Sequence, residues 1–257
     1  MDRTIQTIQI VLGRILVNYY AVPHDTRSAG AILFLHGWGA DGAIWFPIMR
    51  ELRDAGFALY SIDFPGFGKS EMPSHPFFVD DYMEVVDEFI QKLALKNCIV
   101  VAHSFGGRVA IKLAAAYPNL IQKLVLVDSA GVRLTSQKLT IKQNIIRTIK
   151  PLLHLWPLCF LRPYLYRLFA SEDYLAYPRL RETFVKVVNE DLTPILPRVT
   201  TDTLLVWGAK DNETPLAAAK IMQKNILRSR LVILSNAGHF SFLDDQQGFL
   251  QILKEFL

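Results

Sequence analysis

Short apolar runs alternate with amphipathic stretches along most of this chain, and that alternation predicts its architecture. Between Thr4 and Val22, apolar and polar residues alternate loosely on either side of Gly13, as in Ile8-Gln9-Ile10-Val11, which predicts two antiparallel strands. Residues 31–35 are continuously apolar and too few for a helix, so they predict a strand buried on both faces. Residues 57–62, 98–102, 123–128, 202–207 and 230–234 read the same way. Helices are predicted over residues 44–55, after Ser104, over 215–226 and over 246–257. Tyr82, Val85, Val86, Phe89, Ile90 and Leu93 recur at helical spacing, with Asp80, Asp81, Glu84, Asp87 and Glu88 on other faces, which makes an amphipathic helix. Such a succession predicts an α/β fold with a mostly parallel central sheet covered by helices on both faces. Binding sites in these sheets lie at the carboxyl ends of the strands.

Between Asp128 and Asp202 the alternation stops for about seventy residues, too long for a structureless loop in a single domain. A helical lid over residues 131–198 is therefore expected, inserted between two parts of one core, 1–130 and 199–257. Within it, residues 151–165 are rich in leucine and aromatics, including Trp156, Phe160 and Tyr164. Three prolines and an arginine interrupt that run, whereas a membrane-spanning helix needs roughly twenty predominantly apolar residues. No transmembrane segment is expected.

At 257 residues, 51% hydrophobic and 20% charged, the chain can bury the core of one large domain. Cys98 and Cys159 sit in apolar segments, where free cysteine behaves as a small buried hydrophobe. The N-terminal residues show no signal-peptide pattern, so a cytoplasmic location is the expectation. The net charge of +4 is unevenly spread: residues 131–198 hold 11 Lys and Arg against 5 Asp and Glu, which leaves the remainder slightly acidic. A basic lid would attract anionic substrates or an anionic lipid surface, or simply be a solvated charged face. No nucleic-acid-binding signature accompanies it. No cofactor is expected, because metal-ligand spacing and a dinucleotide fingerprint are both lacking.

Chemistry concentrates where Cys98-Ile99-Val100-Val101-Ala102-His103 meets Ser104-Phe105-Gly106-Gly107. A strand, a sharp turn and a helix put Ser104 at the corner. A hydroxyl becomes a nucleophile only when a neighbouring base takes its proton, and a strained turn holds it where base and substrate can both reach it. Ala102, Gly106 and Gly107 supply the small side chains that such a turn needs. The base candidate is His239, in Ser235-Asn236-Ala237-Gly238-His239-Phe240, directly after the last predicted strand. His24, His75 and His154 lack that placement, and His103 is expected to point elsewhere.

These segments resemble the α/β-hydrolase superfamily, whose nucleophile elbow reads G-x-S-x-G, with Ala102 here in place of the first glycine. The resemblance covers essentially the whole chain and implies a lid-bearing serine hydrolase. It implies Asp211, in Gly208-Ala209-Lys210-Asp211-Asn212-Glu213, as the carboxylate that orients the histidine, with Asp128 as the alternative and Glu213 a third choice. Phe105, opening a helix, offers one backbone N–H to an oxyanion. The resemblance implies the second from Trp38 in His36-Gly37-Trp38-Gly39, with His36 stabilising that loop. The loop Asp63-Phe64-Pro65-Gly66-Phe67-Gly68-Lys69-Ser70 also matches a family pattern, and Asp63 is expected to tie backbone together.

The expected function is hydrolysis of carboxylic esters with an apolar portion through an acyl-enzyme. Trp38, Phe105, Trp156, Phe160 and Tyr164 would line the pocket, unless the lid aromatics serve only the lid's own packing. Other readings on the same scaffold are a carbon–carbon hydrolase of vinylogous diketones, a perhydrolase or haloperoxidase-like enzyme, and a non-catalytic ligand sensor.

Overall fold

The structure, a computed structural model, describes residues 4–22, 29–134 and 172–257. Among them, eight strands form one sheet in the order β1-β2-β4-β3-β5-β6-β7-β8. The strands are β1 (Gln6–Leu12), β2 (Ile15–Val22), β3 (Ala31–Leu35), β4 (Ala58–Ile62), β5 (Cys98–His103), β6 (Ile121–Val127), β7 (Asp202–Gly208) and β8 (Ser229–Leu234). Only β1 with β2 and β2 with β4 pair antiparallel. The remaining neighbours are parallel, so their carboxyl ends share one edge. The core is thus the predicted α/β architecture.

Apolar runs in β3, β5, β6 and β7 are continuous because both faces of these strands are covered. Val100, Ala102, Leu33, Leu35, Leu124, Leu126, Leu205 and Trp207 face one side. There they pack on α2 (Val79–Lys92), α3 (Phe105–Ala116) and α6 (Leu216–Asn225). Their alternates, among them Ile99, Val101, Phe34, Val125 and Val206, face α1 (Phe46–Leu52), the short α7 (Ser241–Asp244) and α8 (Gln246–Phe256). Each fully buried side chain of this kind contributes about 1.5–3 kcal/mol, and together they fix the register from which the site is built. At the edge, β8 is only partly covered, and Ile233 is exposed.

Several boundaries differ from the pattern reading. Residues 42–45 form a 3-10 turn, and α1 spans only Phe46–Leu52 of the predicted 44–55. Asp41 accepts the Ala43 amide and closes that turn, Pro47 suits the first turn of a helix, and Gly56 with φ +86° turns the chain out beyond it. Helix α2 starts early, at Val79, because the Asp81 carboxylate accepts the Phe78 amide and satisfies its first turn.

Of the predicted lid, α4 (Glu172–Ala176), α5 (Arg181–Asn189) and a 3-10 segment Thr193–Arg198 are helical. Leu180, Val187, Leu192 and Leu196 bury their side chains in the same cluster as α3. Trp156, Phe160 and Tyr164, with His24, His154 and Cys159, lie outside the described residues.

Buried Asp63, just past β4, ties together the loops beneath the parallel strand ends. Its Oδ1 accepts the Gly42 amide at 2.7 Å, and its Oδ2 accepts Asn18 Nδ2 at 2.8 Å and the Lys69 amide at 2.9 Å. Removing the carboxylate strands several buried donors, so Asp63→Ala is expected to cost about 3 kcal/mol and Asp63→Asn less. Urea denaturation checks this: a loss under about 1 kcal/mol for the alanine variant would contradict the tethering role.

Candidate active site

Ser104 occupies the corner between β5 and α3 with φ 47° and ψ −111°, a conformation that costs a non-glycine residue about 1–3 kcal/mol. The surroundings hold it there. Its amide donates to Val127 O at 3.1 Å, and its carbonyl accepts the amides of Gly107 and Ala130, each at 3.0 Å. Close packing explains the two glycines that follow. A Cβ on Gly106 would stand 2.7 Å from the carbonyl oxygens of both Leu35 and His36, and one on Gly107 would collide with Ser129.

Three groups from separate loops meet at this corner. Ser104 Oγ lies 3.0 Å from His239 Nε2, and His239 Nδ1 lies 2.9 Å from Asp211 Oδ2. Those partners assign the tautomer: Nδ1–H donates to the carboxylate, and the Nε2 lone pair faces the hydroxyl. Asp211 Oδ1 also accepts the amides of Glu213 and Thr214 at 2.8 and 2.9 Å, while Thr214 Oγ1 lies 2.5 Å from Oδ2.

Electrostatics follow from these partners. Burial by itself raises the Asp211 pKa, but hydrogen bonds from His239 and Thr214, with the imidazole's charge, outweigh it and hold the carboxyl below its ordinary value. Burial by itself lowers the His239 pKa. The hydrogen bond and charge of Asp211, aided by Glu213 and Asp128, reverse that and raise it.

The alternative acids sit differently. Asp128 Oδ1 accepts the Gly208 amide at 2.7 Å and Oδ2 the Ser241 amide at 3.0 Å, so both oxygens are committed to backbone. Burial pushes its pKa to about 7 against those bonds. Glu213, 66% exposed, approaches the ring from the other side, with Oε2 3.4 Å from Nε2. Neither carboxylate meets Nδ1, the nitrogen that an orienting acid must hold.

Two supports escaped sequence reasoning. The first is His103, whose supporting role was not foreseen: it donates Nε2–H to the carbonyl of His239 at 2.8 Å, with the two rings 4.8 Å apart. Burial lowers its pKa to about 3, so it stays neutral beneath the His239 loop. The second is Thr214, which also reaches Asp128 O at 3.0 Å. A histidine preceding the elbow serine was the available signal for the first; Thr214 carries none.

Trp38 and Phe105 face the same space, their rings packed edge to face with centroids 5.5 Å apart. Phe105 opens α3, so its N–H has no helical acceptor. His36 donates Nδ1–H to Gly37 O at 2.7 Å and accepts the Phe64 amide at 2.9 Å, joining the Trp38 loop to the Asp63 loop. His75, beside Ser74 in the loop before α2, has no part in the cluster. A cavity of about 360 Å³ opens over Ser104 and His239, walled by Trp38, Phe184 of α5, Val187 and Pro215. Among the described residues, no group of three or more His, Cys, Asp or Glu could hold a metal ion, and no helix is long and apolar enough to cross a membrane.

A mostly parallel sheet with this strand-turn-helix corner and its three converging groups defines the class, and comparison names it: the Alpha/beta hydrolase family model matches residues 32–252, and the chain belongs to that family. It is 26% identical over 251 residues to the AB hydrolase superfamily protein YisY of Bacillus subtilis (strain 168), covering 90% of this chain and 93% of that protein. It is 28% identical over 254 residues to the pimeloyl-[acyl-carrier protein] methyl ester esterase of Nitrosomonas europaea, covering 88% of this chain and 94% of that one. In fold it matches a membrane phospholipase A, a bacterial virulence factor, with a TM-score of 0.80 at 23% identity over 98% of this chain and 85% of that chain.

The two histidines are expected to separate in an NMR titration. His239 should titrate above its ordinary 6.5 and fall in Asp211→Asn, while His103 stays neutral throughout about pH 5–8. A His103 resonance titrating near neutrality would contradict this account.

Proposed function

We propose that this hydrolase cleaves carboxylic esters with an apolar portion through an acyl-enzyme on Ser104. His239 Nε2 takes the Ser104 proton as Oγ bonds to the ester carbonyl carbon. The oxyanion that results lies toward the backbone N–H groups of Phe105 and Trp38. His239 then gives the proton to the departing alcohol oxygen as the carbon–oxygen bond breaks. Water attacks the acyl-enzyme, His239 takes its proton and returns it to Ser104, and the free acid leaves. Asp211 holds the imidazole and offsets its transient charge.

The observation that carries this reading is the unbroken line of hydrogen-bonding distances from Ser104 Oγ through His239 to Asp211 Oδ2, at 3.0 and 2.9 Å. The Nitrosomonas europaea relative, whose name is that of a methyl ester esterase, supports the ester as substrate. Aromatic and aliphatic cavity walls support an apolar portion. Residues 131–198 are read as a lid, supported by the packing of Phe184 on Trp38, with ring centroids 5.1 Å apart.

Turnover of p-nitrophenyl esters tests the proposal. Ser104→Ala and His239→Ala are each expected to lower kcat by about 10⁴ or more while the circular dichroism spectrum is retained. Full activity in Ser104→Ala, or no turnover of any ester by the wild type, would overturn it. Because only neutral His239 can accept the proton, kcat/KM should fall as pH drops through the raised His239 pKa. Glu213→Gln removes a nearby negative charge and is expected to move that acid limb to lower pH. An acid limb that moved upward would contradict the assigned base.

A further inference from the structure

We infer that Arg108 is a carboxylate receptor in the wall of the cavity, so that the preferred ester carries a second, free carboxylate a short distance from the scissile carbonyl. This rests on the acyl-transfer reading above and deepens it.

Arg108 is the fourth residue of α3, the helix that opens directly after Ser104. It lines the same cavity as Ser104 and His239. The residue is 9% exposed, an unusual degree of burial for an arginine. A guanidinium offers five N–H donors. Among the described residues, the bond found for them is Nη1 to the Glu190 carbonyl at 2.7 Å, a neutral acceptor. The nearby carboxylate does not neutralise it directly, because Glu190 Oε1 is taken by Lys112 Nζ at 2.5 Å, and that ammonium also reaches Asp80 at 2.7 Å.

Among the described residues no carboxylate forms an ion pair with it; a buried cation so placed is costly, and that cost is what a ligand carboxylate would relieve through two parallel hydrogen bonds. Burial lowers the Arg108 pKa, with Glu190 and Asp191 opposing, but only to about 10, so the group remains charged at neutral pH. Arg133, Glu190 and Glu213 also line the cavity; Arg133 and Glu213 are exposed, where salt screens them, and the half-buried Glu190 carboxylate is paired with Lys112. Arg108 is the buried charge beside the proposed nucleophile, and it sets the sign of the ligand group that the wall accepts.

Paired substrates test this: the p-nitrophenyl half-esters of succinate, glutarate and adipate against p-nitrophenyl butyrate, valerate and hexanoate, their neutral counterparts of equal length. The wild type should favour at least one half-ester by about tenfold or more in kcat/KM, chiefly through KM. That ratio should persist in about 0.5 M NaCl, which screens exposed charges far more than a buried pair. In Arg108→Gln the ratio should fall by about tenfold or more, and Arg108→Lys should restore part of it.

Turnover of the neutral esters without any preference for half-esters would overturn this inference and leave the esterase reading standing. No turnover of either series would overturn both. A ratio that collapses in salt would assign the preference to exposed charges and overturn the role of Arg108. Equal losses on both series in Arg108→Gln would do the same, by making it a structural tie to Glu190. Should that variant fail to fold, the wild-type ratio and its salt dependence still decide.

Discussion

Everything at the site depends on how closely α3 approaches the strand ends. The backbone at Gly106 passes within contact of the Leu35 and His36 carbonyls, and Gly107 packs on Ser129. A larger side chain at Gly106 would have to displace the end of β3, and one at Gly107 would have to displace Ser129. That contact leaves Ser104 no relaxed alternative, so its backbone keeps φ 47° and the hydroxyl stays above the sheet edge. Strain here is sustained by the core: β5 is buried along its length and is held in parallel register by β3 and β6. The packing energy of the central strands and the position of one hydroxyl are therefore the same fact seen at two scales.

Around this fixed point the other groups arrive on loops tied to buried polar anchors. Asp128 draws in the Gly208 and Ser241 amides and so joins the ends of β6 and β7 to the segment after His239. His103 supports the His239 carbonyl from below. Asp63 and His36 gather the loops on the other flank. Each anchor is buried with its bonding capacity directed at backbone, which lets irregular chain lie against the sheet without stranded donors.

The central strands were legible because burial on both faces leaves an uninterrupted apolar run, and α2 because its spacing repeats. Ser104 and His239 could be nominated because each follows a strand with small neighbours, and the family resemblance singled out Asp211. What could not be read depends on partners distant along the chain. His103 acts through the carbonyl of His239, 136 residues away, and Thr214 also reaches the carbonyl of Asp128, 86 residues away. The 3-10 turn that displaces the start of α1 is closed by one capping bond from Asp41. Arg108 looks like any helical arginine until Glu190, brought back by α5, closes over it. Asp128 and Asp211 are alike in sequence, both following strands; only the direction of their oxygens separates a backbone tether from a partner for imidazole.

Two supports of His239, His103 and Asp211, do not share its sensitivity to acid. His103 is uncharged down to about pH 3, and Asp211 keeps its negative charge below the ordinary carboxylate range. Asp128, whose pKa is raised by burial, is relieved of an unfavourable charge as pH falls through about 7. Mild acid thus charges the imidazole while His103 and Asp211 keep their own charge states, and restoring the buffer should be enough to return the ring to its neutral form.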